Sequence, residues 1–188
     1  MTVFLASVSP RRKALLRAAG VRFRVIAPSY HEPFKAGEKP RAAVLRHALA
    51  KALSVRRRVA NGVVIGSDTV VYFNKRIIGK PKDRKHAFRI LSAMQGRTHQ
   101  VFTGVALVRF KAHRPERLAL FAERSDVRLK PMDRAAIGRY FRTVNPLDKA
   151  GAYAAQSKKG SIVMSVKGSF SNVVGLPVER LCVKLRKL

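Results

Sequence analysis

The chain has 188 residues, of which 47% are hydrophobic, so it is long enough to bury a core and suits one domain over residues 1–188. Its 40 lysines and arginines against 10 acidic residues give a net charge of +30, which favours non-specific association with polyanions such as nucleotides and nucleic acids. The single cysteine excludes an internal disulfide, and no apolar stretch approaches the roughly 20 residues that span a bilayer, so we expect a cytoplasmic protein with no membrane partner.

The chain begins with a predicted strand-to-helix junction. Residues 3–6 are apolar and favour a short strand, whereas residues 13–19 are rich in helix formers and stop at a glycine. Pro10 falls near the first helical turn, where its missing N–H costs nothing. The free N–H groups of that turn, together with Arg11 and Arg12, favour a phosphate site. An ordinary capped surface helix is the alternative.

Asp68 is the acidic residue in the most unusual surroundings. Residues 62–72 form an apolar strand pattern that is interrupted by Gly66-Ser67-Asp68-Thr69 and then resumes. A carboxylate inside a strand, close to a glycine that lets another group approach, is costly unless it is paired or binds a metal. A turn that joins two hairpin strands is the alternative. A second acid, Glu32, follows a predicted strand over residues 23–27 and lies in a loop.

Lys80 follows a predicted hairpin that turns at Asn74-Lys75. Pro81 prevents this lysine from opening a Walker-type helix, and the glycine-rich spacing of a P-loop is absent. The lysine is suited instead to act as a point charge on a phosphate.

The rest of the chain continues the mixed pattern of helices and strands. The periodicity predicts a helix over 83–94 that stops at Gly96, paired strands over 101–110 and 117–128, a helix over 131–143, a strand near 162–166 and a terminal helix after 177. Strands that alternate with helices in this way indicate an α/β fold.

Six sequence blocks together resemble the Maf family of nucleoside triphosphate pyrophosphatases, and the resemblance extends from Leu5 to Leu181. Each block alone is weak evidence, whereas six in the family's order are highly specific. They are Leu5-Ala6-Ser7-x-Ser9-Pro10-Arg11-Arg12, Gly66-Ser67-Asp68-Thr69-Val70-Val71, Gly79-Lys80-Pro81, Gly96-Arg97-Thr98-His99-x-Val101-x-Thr103-Gly104-Val105, Asp148-Lys149-Ala150-Gly151-Ala152-Tyr153-x-x-Gln156 and Asn172-Val173-Val174-Gly175-Leu176-Pro177.

The resemblance implies a fold and a reaction. It implies a mixed, elongated α/β sheet flanked by helices, as in inosine triphosphate pyrophosphatase-like proteins, with two lobes, a central cleft and a common tendency to form homodimers. It further implies hydrolysis of a nucleoside triphosphate between the α and β phosphates with Mg²⁺ or Mn²⁺. Asp68 matches the family's catalytic acid and Glu32 would share the metal with it. Four residues match positions along the triphosphate path: Ser7, Arg11, Lys51 and Lys80.

The family has branches that differ in the base they accept. Arg12, Thr69 and Gln156 match the branch that acts on dTTP and UTP, and the glutamine can offer a donor and an acceptor to a pyrimidine edge. Asn145 stands where the family often has Glu, and residues 168–171 lack its frequent acidic or tyrosine residues. Two alternatives stay open: the branch that hydrolyses 7-methylguanosine triphosphate, and a basic nucleic-acid-binding regulator of septum formation.

Overall fold

The computed structural model describes residues 1–31, 33, 35, 37–156 and 161–188. Seven strands and six α-helices alternate along this part of the chain. In chain order they are β1 (Val3–Leu5), α1 (Pro10–Ala18), β2 (Arg24–Val25), α2 (Pro40–Ser54), β3 (Gly62–Phe73), β4 (Arg76–Ile78), α3 (Arg84–Met94), β5 (Thr98–Lys111), β6 (Arg114–Leu129), α4 (Arg134–Thr143), β7 (Val163–Lys167), α5 (Phe170–Val174) and α6 (Val178–Leu185).

The strands form one mixed sheet in the order β2-β1-β3-β5-β6-β7, with β4 paired to β3. β1 runs parallel to β2 and to β3, with Leu5 opposite both Val25 and Ile65. The pairs β3–β4 and β6–β7 are antiparallel. The prediction of a mixed α/β sheet with helices is therefore confirmed. Within the part of the chain that the structure describes, no helix combines the length and apolar character that crossing a membrane requires.

The chain divides into two compact units. The first unit comprises Met1–Thr69, Thr103–Glu123 and Gly175–Leu188. Its buried apolar residues come from all three segments, and they include Leu5, Ile65, Leu107 and Leu181. Distant parts of the sequence therefore share one core.

The backbone of helix α2 packs directly against the backbone of strands β3 and β5 in the first unit. A Cβ atom on Gly66 would lie 2.1 Å from the carbonyl oxygen of Ala48, and one on Gly104 would lie 2.3 Å from that of Val44. Only glycine fits at these two strand positions, because any side chain would collide with the helix backbone. The predicted close approach at Gly66 is confirmed, and the approaching group is a helix.

The second unit comprises Val70–Phe102 and Arg124–Val174. Its core is formed by α3, α4 and the adjacent strands, with Leu91, Ile137 and Phe141 among the buried side chains. The predicted hairpin between β3 and β4 turns at Asn74 and Lys75, whose φ angles of 48° and 59° are those of a tight two-residue turn.

The structure corrects several predicted boundaries. β3 is one uninterrupted strand, so the alternative of a turn at Gly66-Ser67-Asp68 is wrong. The predicted strand over 23–27 is reduced to Arg24–Val25. The helix predicted from residue 131 begins at Arg134, because the Asp133 carboxylate caps it by accepting a hydrogen bond from the Ala136 N–H at 2.6 Å. The short helix α5 has too few residues for a periodic signal, so the sequence does not predict it.

Candidate functional site

The junction between β1 and α1 forms one side of the candidate site. α1 begins at Pro10, as predicted, and the buried Ser7 lies between the strand and the helix. The Ser7 hydroxyl accepts a hydrogen bond from the Ser9 N–H at 3.2 Å. β1 ends at Leu5, opposite Ile65 of the parallel strand β3, and the Ala6 N–H still donates to the Ile65 carbonyl at 2.8 Å. The residues just after β1, Ser7 among them, therefore run beside the polar part of β3, which continues as a strand.

Arg12 forms hydrogen bonds to three residues of the first unit, on β3, at the β1–α1 junction and just after α5. Its Nε donates to the carbonyl oxygen of Gly175 at 2.9 Å, its Nη1 to Ser7 Oγ at 3.2 Å and its Nη2 to Thr69 Oγ1 at 3.2 Å. The planar guanidinium presents its donors in a fixed fork, which suits three acceptors around it. Arg12 therefore fixes the orientation of the two hydroxyl groups it contacts.

The carbonyl of Gly175 is a shared acceptor at this site. Besides the Arg12 guanidinium, the Ser67 hydroxyl donates to it at 3.3 Å and the Thr69 hydroxyl lies 3.4 Å from it. Gly175 has a φ of +126°, which strongly favours glycine. Thr69 Oγ1 also lies 3.0 Å from Thr103 Oγ1 on β5, so the hydroxyl of Thr69 is held from two sides.

Asp68 and Lys51 form a buried ion pair. Lys51 Nζ donates to Asp68 Oδ1 at 2.7 Å, and the two residues are 5% (Lys51) and 3% (Asp68) exposed. Lys51 lies one helical turn beyond Ala48, where α2 contacts Gly66, so the close packing of helix and strand brings the ammonium to the carboxylate. Lys51 Nζ also lies 3.4 Å from the carbonyl oxygen of Ser67.

The second carboxylate oxygen of Asp68 distinguishes the site from a structural ion pair. Asp68 Oδ2 is buried and accepts no hydrogen bond from any residue that the structure describes. A buried carboxylate oxygen without a donor is costly, so it calls for an explanation such as a catalytic role or a bound ion. An anionic oxygen in this position can orient a water molecule or bind a hard cation.

The donor set defines which metals fit. The described residues contain no cluster of three or more His, Cys, Asp or Glu side chains that could hold an ion. Mg²⁺ typically takes only one or two carboxylates and draws its remaining ligands from phosphates and water. Asp68 Oδ2 therefore suits Mg²⁺ or Mn²⁺ and does not provide the closed ligand set of a structural zinc site.

The structure brings most of the predicted site residues together within the first unit. Ser7, Arg12 and Thr69 share hydrogen bonds, Asp68 is the neighbour of Thr69 on β3, and Lys51 pairs with Asp68.

Of the other predicted site residues, the structure describes Arg11, Lys80 and Gln156. Arg11 lies half-buried at the start of α1. Lys80 and Gln156 are exposed residues of the second unit. Glu32 lies outside the described residues.

The sequence does not predict the contacts that Arg46 and His47 on α2 make with residues before this helix. Arg46 forms two hydrogen bonds with the Glu38 carboxylate, one of them from Nε at 2.8 Å, and its Nη2 donates to the Pro33 carbonyl at 3.0 Å. The Arg46 guanidinium lowers the pKa of Glu38 below its usual value. Nδ1 of the buried His47 forms a hydrogen bond with the Tyr30 hydroxyl at 3.0 Å. No local pattern in the sequence signals these pairings.

Comparison with known proteins places this fold and site in a class and then in a family. The fold matches that of the Staphylococcus aureus Ham1 protein with a TM-score of 0.51 and 13% identity, covering 100% of this chain and 99% of that one. The chain is thus an α/β protein of the Ham1 fold class. It belongs to the Maf family, because the family described as Maf-like protein matches residues 2–188.

Two relatives show how similar this chain is to other members of the family. A protein of Bacillus cytotoxicus named dTTP/UTP pyrophosphatase is 40% identical over 183 residues, covering 97% of this chain and 93% of the relative. A protein of Symbiobacterium thermophilum with the same name is 42% identical over 178 residues, covering 95% and 89%. The predicted family is confirmed.

Proposed function

We propose that the protein hydrolyses dTTP and UTP to the nucleoside monophosphate and pyrophosphate. The observation that carries the proposal is the buried Asp68, whose Oδ1 is paired with Lys51 at 2.7 Å and whose Oδ2 has no partner among the described residues. The similarity over almost the whole chain to two proteins named dTTP/UTP pyrophosphatase supports the same activity.

Asp68 is the residue suited to activate water in this reaction. Because Lys51 occupies Oδ1, the carboxylate is fixed in orientation and Oδ2 is the oxygen available to accept a proton from water or to orient it. Water adds to the phosphoanhydride between the α and β phosphates, the P–O bond breaks and pyrophosphate leaves. The basic residues Arg11, Lys51 and Lys80 are proposed to stabilise charge on the phosphates during this step.

The hydroxyl groups around Arg12 are suited to nucleotide binding. Ser7 and Thr69 are held in place by the guanidinium and by Gly175, so they are ordered before a ligand arrives. We propose that Ser7 contacts the phosphates and that Arg12, Thr69 and Gln156 select the base.

A divalent metal belongs to the proposal. Asp68 Oδ2 would hold Mg²⁺ or Mn²⁺, and Glu32 is its proposed second carboxylate ligand. When bound, the ion would neutralise phosphate charge and polarise the bond to be cleaved. A cytoplasmic location and a homodimer complete the proposal.

The experiment measures pyrophosphate release from a panel of canonical and modified nucleoside triphosphates with Mg²⁺ or Mn²⁺. The test variant is Asp68→Asn, and the matched control is Asp126→Asn, which alters an acid on β6 that pairs with Arg124 at 3.0 Å. We expect release from dTTP and UTP by the wild type and the control, a loss of at least about a hundredfold in Asp68→Asn, and inhibition by a chelator.

Other outcomes would redirect the assignment. Preference for 7-methylguanosine triphosphate would move the protein to the other branch of the family. No release from any nucleotide, combined with salt-dependent DNA or RNA binding that survives Asp68→Asn, would favour a nucleic-acid-binding role instead.

A further inference from the structure

The second unit contains a buried pair that the proposed chemistry does not use. His99 on β5 is 2% exposed, and its Nε2 lies 2.7 Å from the Tyr153 hydroxyl, which is also buried. The two rings meet edge to face with centroids 5.2 Å apart. Burial lowers the pKa of His99 to about 4, so the ring is neutral at physiological pH. A neutral imidazole and a phenol form a hydrogen bond without a buried charge.

Tyr153 belongs to a segment that is attached at three nearby points. The Gly151 N–H donates to the Gly79 carbonyl at 3.3 Å, Tyr153 contacts His99, and the Ala154 N–H donates to the Tyr140 hydroxyl at 2.9 Å. We call residues 151–154 the tethered segment. These contacts come from β5, α4 and the turn after β4, so the segment is fixed by three different parts of the unit.

The backbone of the tethered segment requires such support. Gly151 and Ala152 have φ angles of +72° and +61°, and a left-handed conformation is unfavourable for alanine. Residues hold conformations of this kind when the surrounding structure determines them. A Cβ atom on Gly151 would lie only 3.0 Å from Val71 Cγ2, so the segment also packs tightly against β3.

Two exposed residues with proposed roles adjoin these tethers. Gln156 follows Ala154 by two residues, and Lys80 directly follows Gly79, whose carbonyl accepts from Gly151. The tethered segment is therefore connected through one or two residues of backbone to the proposed base contact and to the proposed phosphate contact.

We propose that His99 and Tyr153 are positioning residues, whose buried hydrogen bond fixes the tethered segment and thereby holds Gln156 and Lys80 ready to contact the nucleotide. This inference rests on the proposed function, because that function supplies the roles of Gln156 and Lys80. Neither positioning residue needs to touch the nucleotide.

The test removes one hydroxyl group and measures both the segment and catalysis. In Tyr153→Phe the ring remains and the hydrogen bond to His99 is lost. We expect amide hydrogen exchange over residues 151–156 to become roughly ten- to a hundredfold faster, because a buried hydrogen bond has been removed. We expect kcat/KM for dTTP to fall about tenfold or more, with KM raised because the Gln156 contact is disturbed and kcat lowered because Lys80 is proposed to act during bond cleavage.

The controls separate positioning from a general loss of stability. Tyr72→Phe removes a hydroxyl that forms no hydrogen bond among the described residues, and it should leave exchange and KM unchanged. His99→Leu should match Tyr153→Phe, and the double variant should be no worse than the more impaired single variant, since both changes remove one interaction. His99→Gln, which can still contact the phenol, should restore much of the lost affinity.

Two results would overturn the inference. Unchanged exchange in Tyr153→Phe would show that the segment is not held by this bond. Faster exchange with unchanged KM and unchanged preference for dTTP, measured well below the unfolding temperature, would show that the pair is only structural. If the wild type releases no pyrophosphate from any nucleotide, the proposed function fails, but hydrogen exchange still tests the structural part of the inference. Equal exchange rates in the wild type and Tyr153→Phe would then show that the hydrogen bond does not hold the tethered segment.

Discussion

Replacing Lys51 with methionine tests whether the buried ion pair is an integral part of the fold. Methionine keeps much of the apolar stem of lysine and removes the ammonium that donates to Asp68 Oδ1 at 2.7 Å. The carboxylate is 3% exposed and its Oδ2 already has no partner among the described residues. In the variant, Oδ1 would lose the Lys51 ammonium, which is the partner that the structure shows for this carboxylate.

The expected loss is large because one charge of a buried pair is left alone. Removing one partner of such a pair costs about 3–5 kcal/mol, which for a chain of this size lowers the unfolding temperature by roughly 6–20 °C. Asp68→Asn should cost less, roughly 1–3 kcal/mol, because the amide oxygen still accepts from the Lys51 ammonium. Lys51→Met combined with Asp68→Leu replaces both charges with apolar groups and should recover most of the stability.

Urea unfolding at pH 7, followed by circular dichroism, measures all three variants against the wild type. A loss of less than about 1 kcal/mol in Lys51→Met would contradict this expectation, because solvent would then already screen the pair. A double variant as unstable as Lys51→Met would also contradict it, because the loss would then come from packing. Pyrophosphate release should be lost in every variant that lacks Asp68.

Three other changes test separate parts of the structure. His99 is protonated near pH 6.5 in the unfolded chain and only near pH 4 in the folded protein, because burial lowers its pKa. Its contribution of about 3 kcal/mol to the free energy of unfolding is therefore lost as the pH falls from 6.5 to 4. Urea unfolding between pH 7 and pH 4 should show a smaller loss of stability in His99→Gln than in the wild type. Gly66→Ala places a Cβ atom 2.1 Å from the Ala48 carbonyl oxygen, so it should lower the free energy of unfolding by at least about 1–3 kcal/mol and reduce turnover. As a control, Gly138→Ala, whose Cβ would have no atom within 4 Å, should be neutral or stabilising. Arg12→Lys replaces the fork with one ammonium and should lower kcat/KM for dTTP about tenfold or more, and an unchanged value would show that the three hydrogen bonds are dispensable.

The local parts of the fold could be predicted because local chemistry specifies them. The strand-to-helix junction at Pro10, the hairpin at Asn74-Lys75 and the helix that ends before Gly96 each depend on a few adjacent residues. The cost of an acid inside a buried strand also singles out Asp68 from the amino-acid sequence alone. Boundaries such as the start of α4 were less accurate, because a cap at Asp133 decides them.

The partners of the site residues could not be predicted from local sequence. Lys51 and Asp68 are 17 positions apart, and Arg12 and Gly175 are 163 apart, so only the folded topology brings them together. For Lys51 the family resemblance supplied a role that the residue's own helical context does not suggest. Nothing in the sequence predicts that His99 pairs with Tyr153, although each residue belongs to one of the six blocks. Their burial and their hydrogen bond are properties of the assembled core.

The three donors that converge on the Gly175 carbonyl have a consequence for biosynthesis. Gly175 begins the last of the three segments of the first unit, and Leu176 and Leu181 of that segment are fully buried in its core. Arg12 is translated 163 residues before its acceptor at Gly175. Until residues 175–181 have been synthesised, the apolar surface around Leu5 and Ile65 therefore lacks part of its cover. A product truncated before residue 175 would lack both that cover and the carbonyl that orders the hydroxyls beside Asp68.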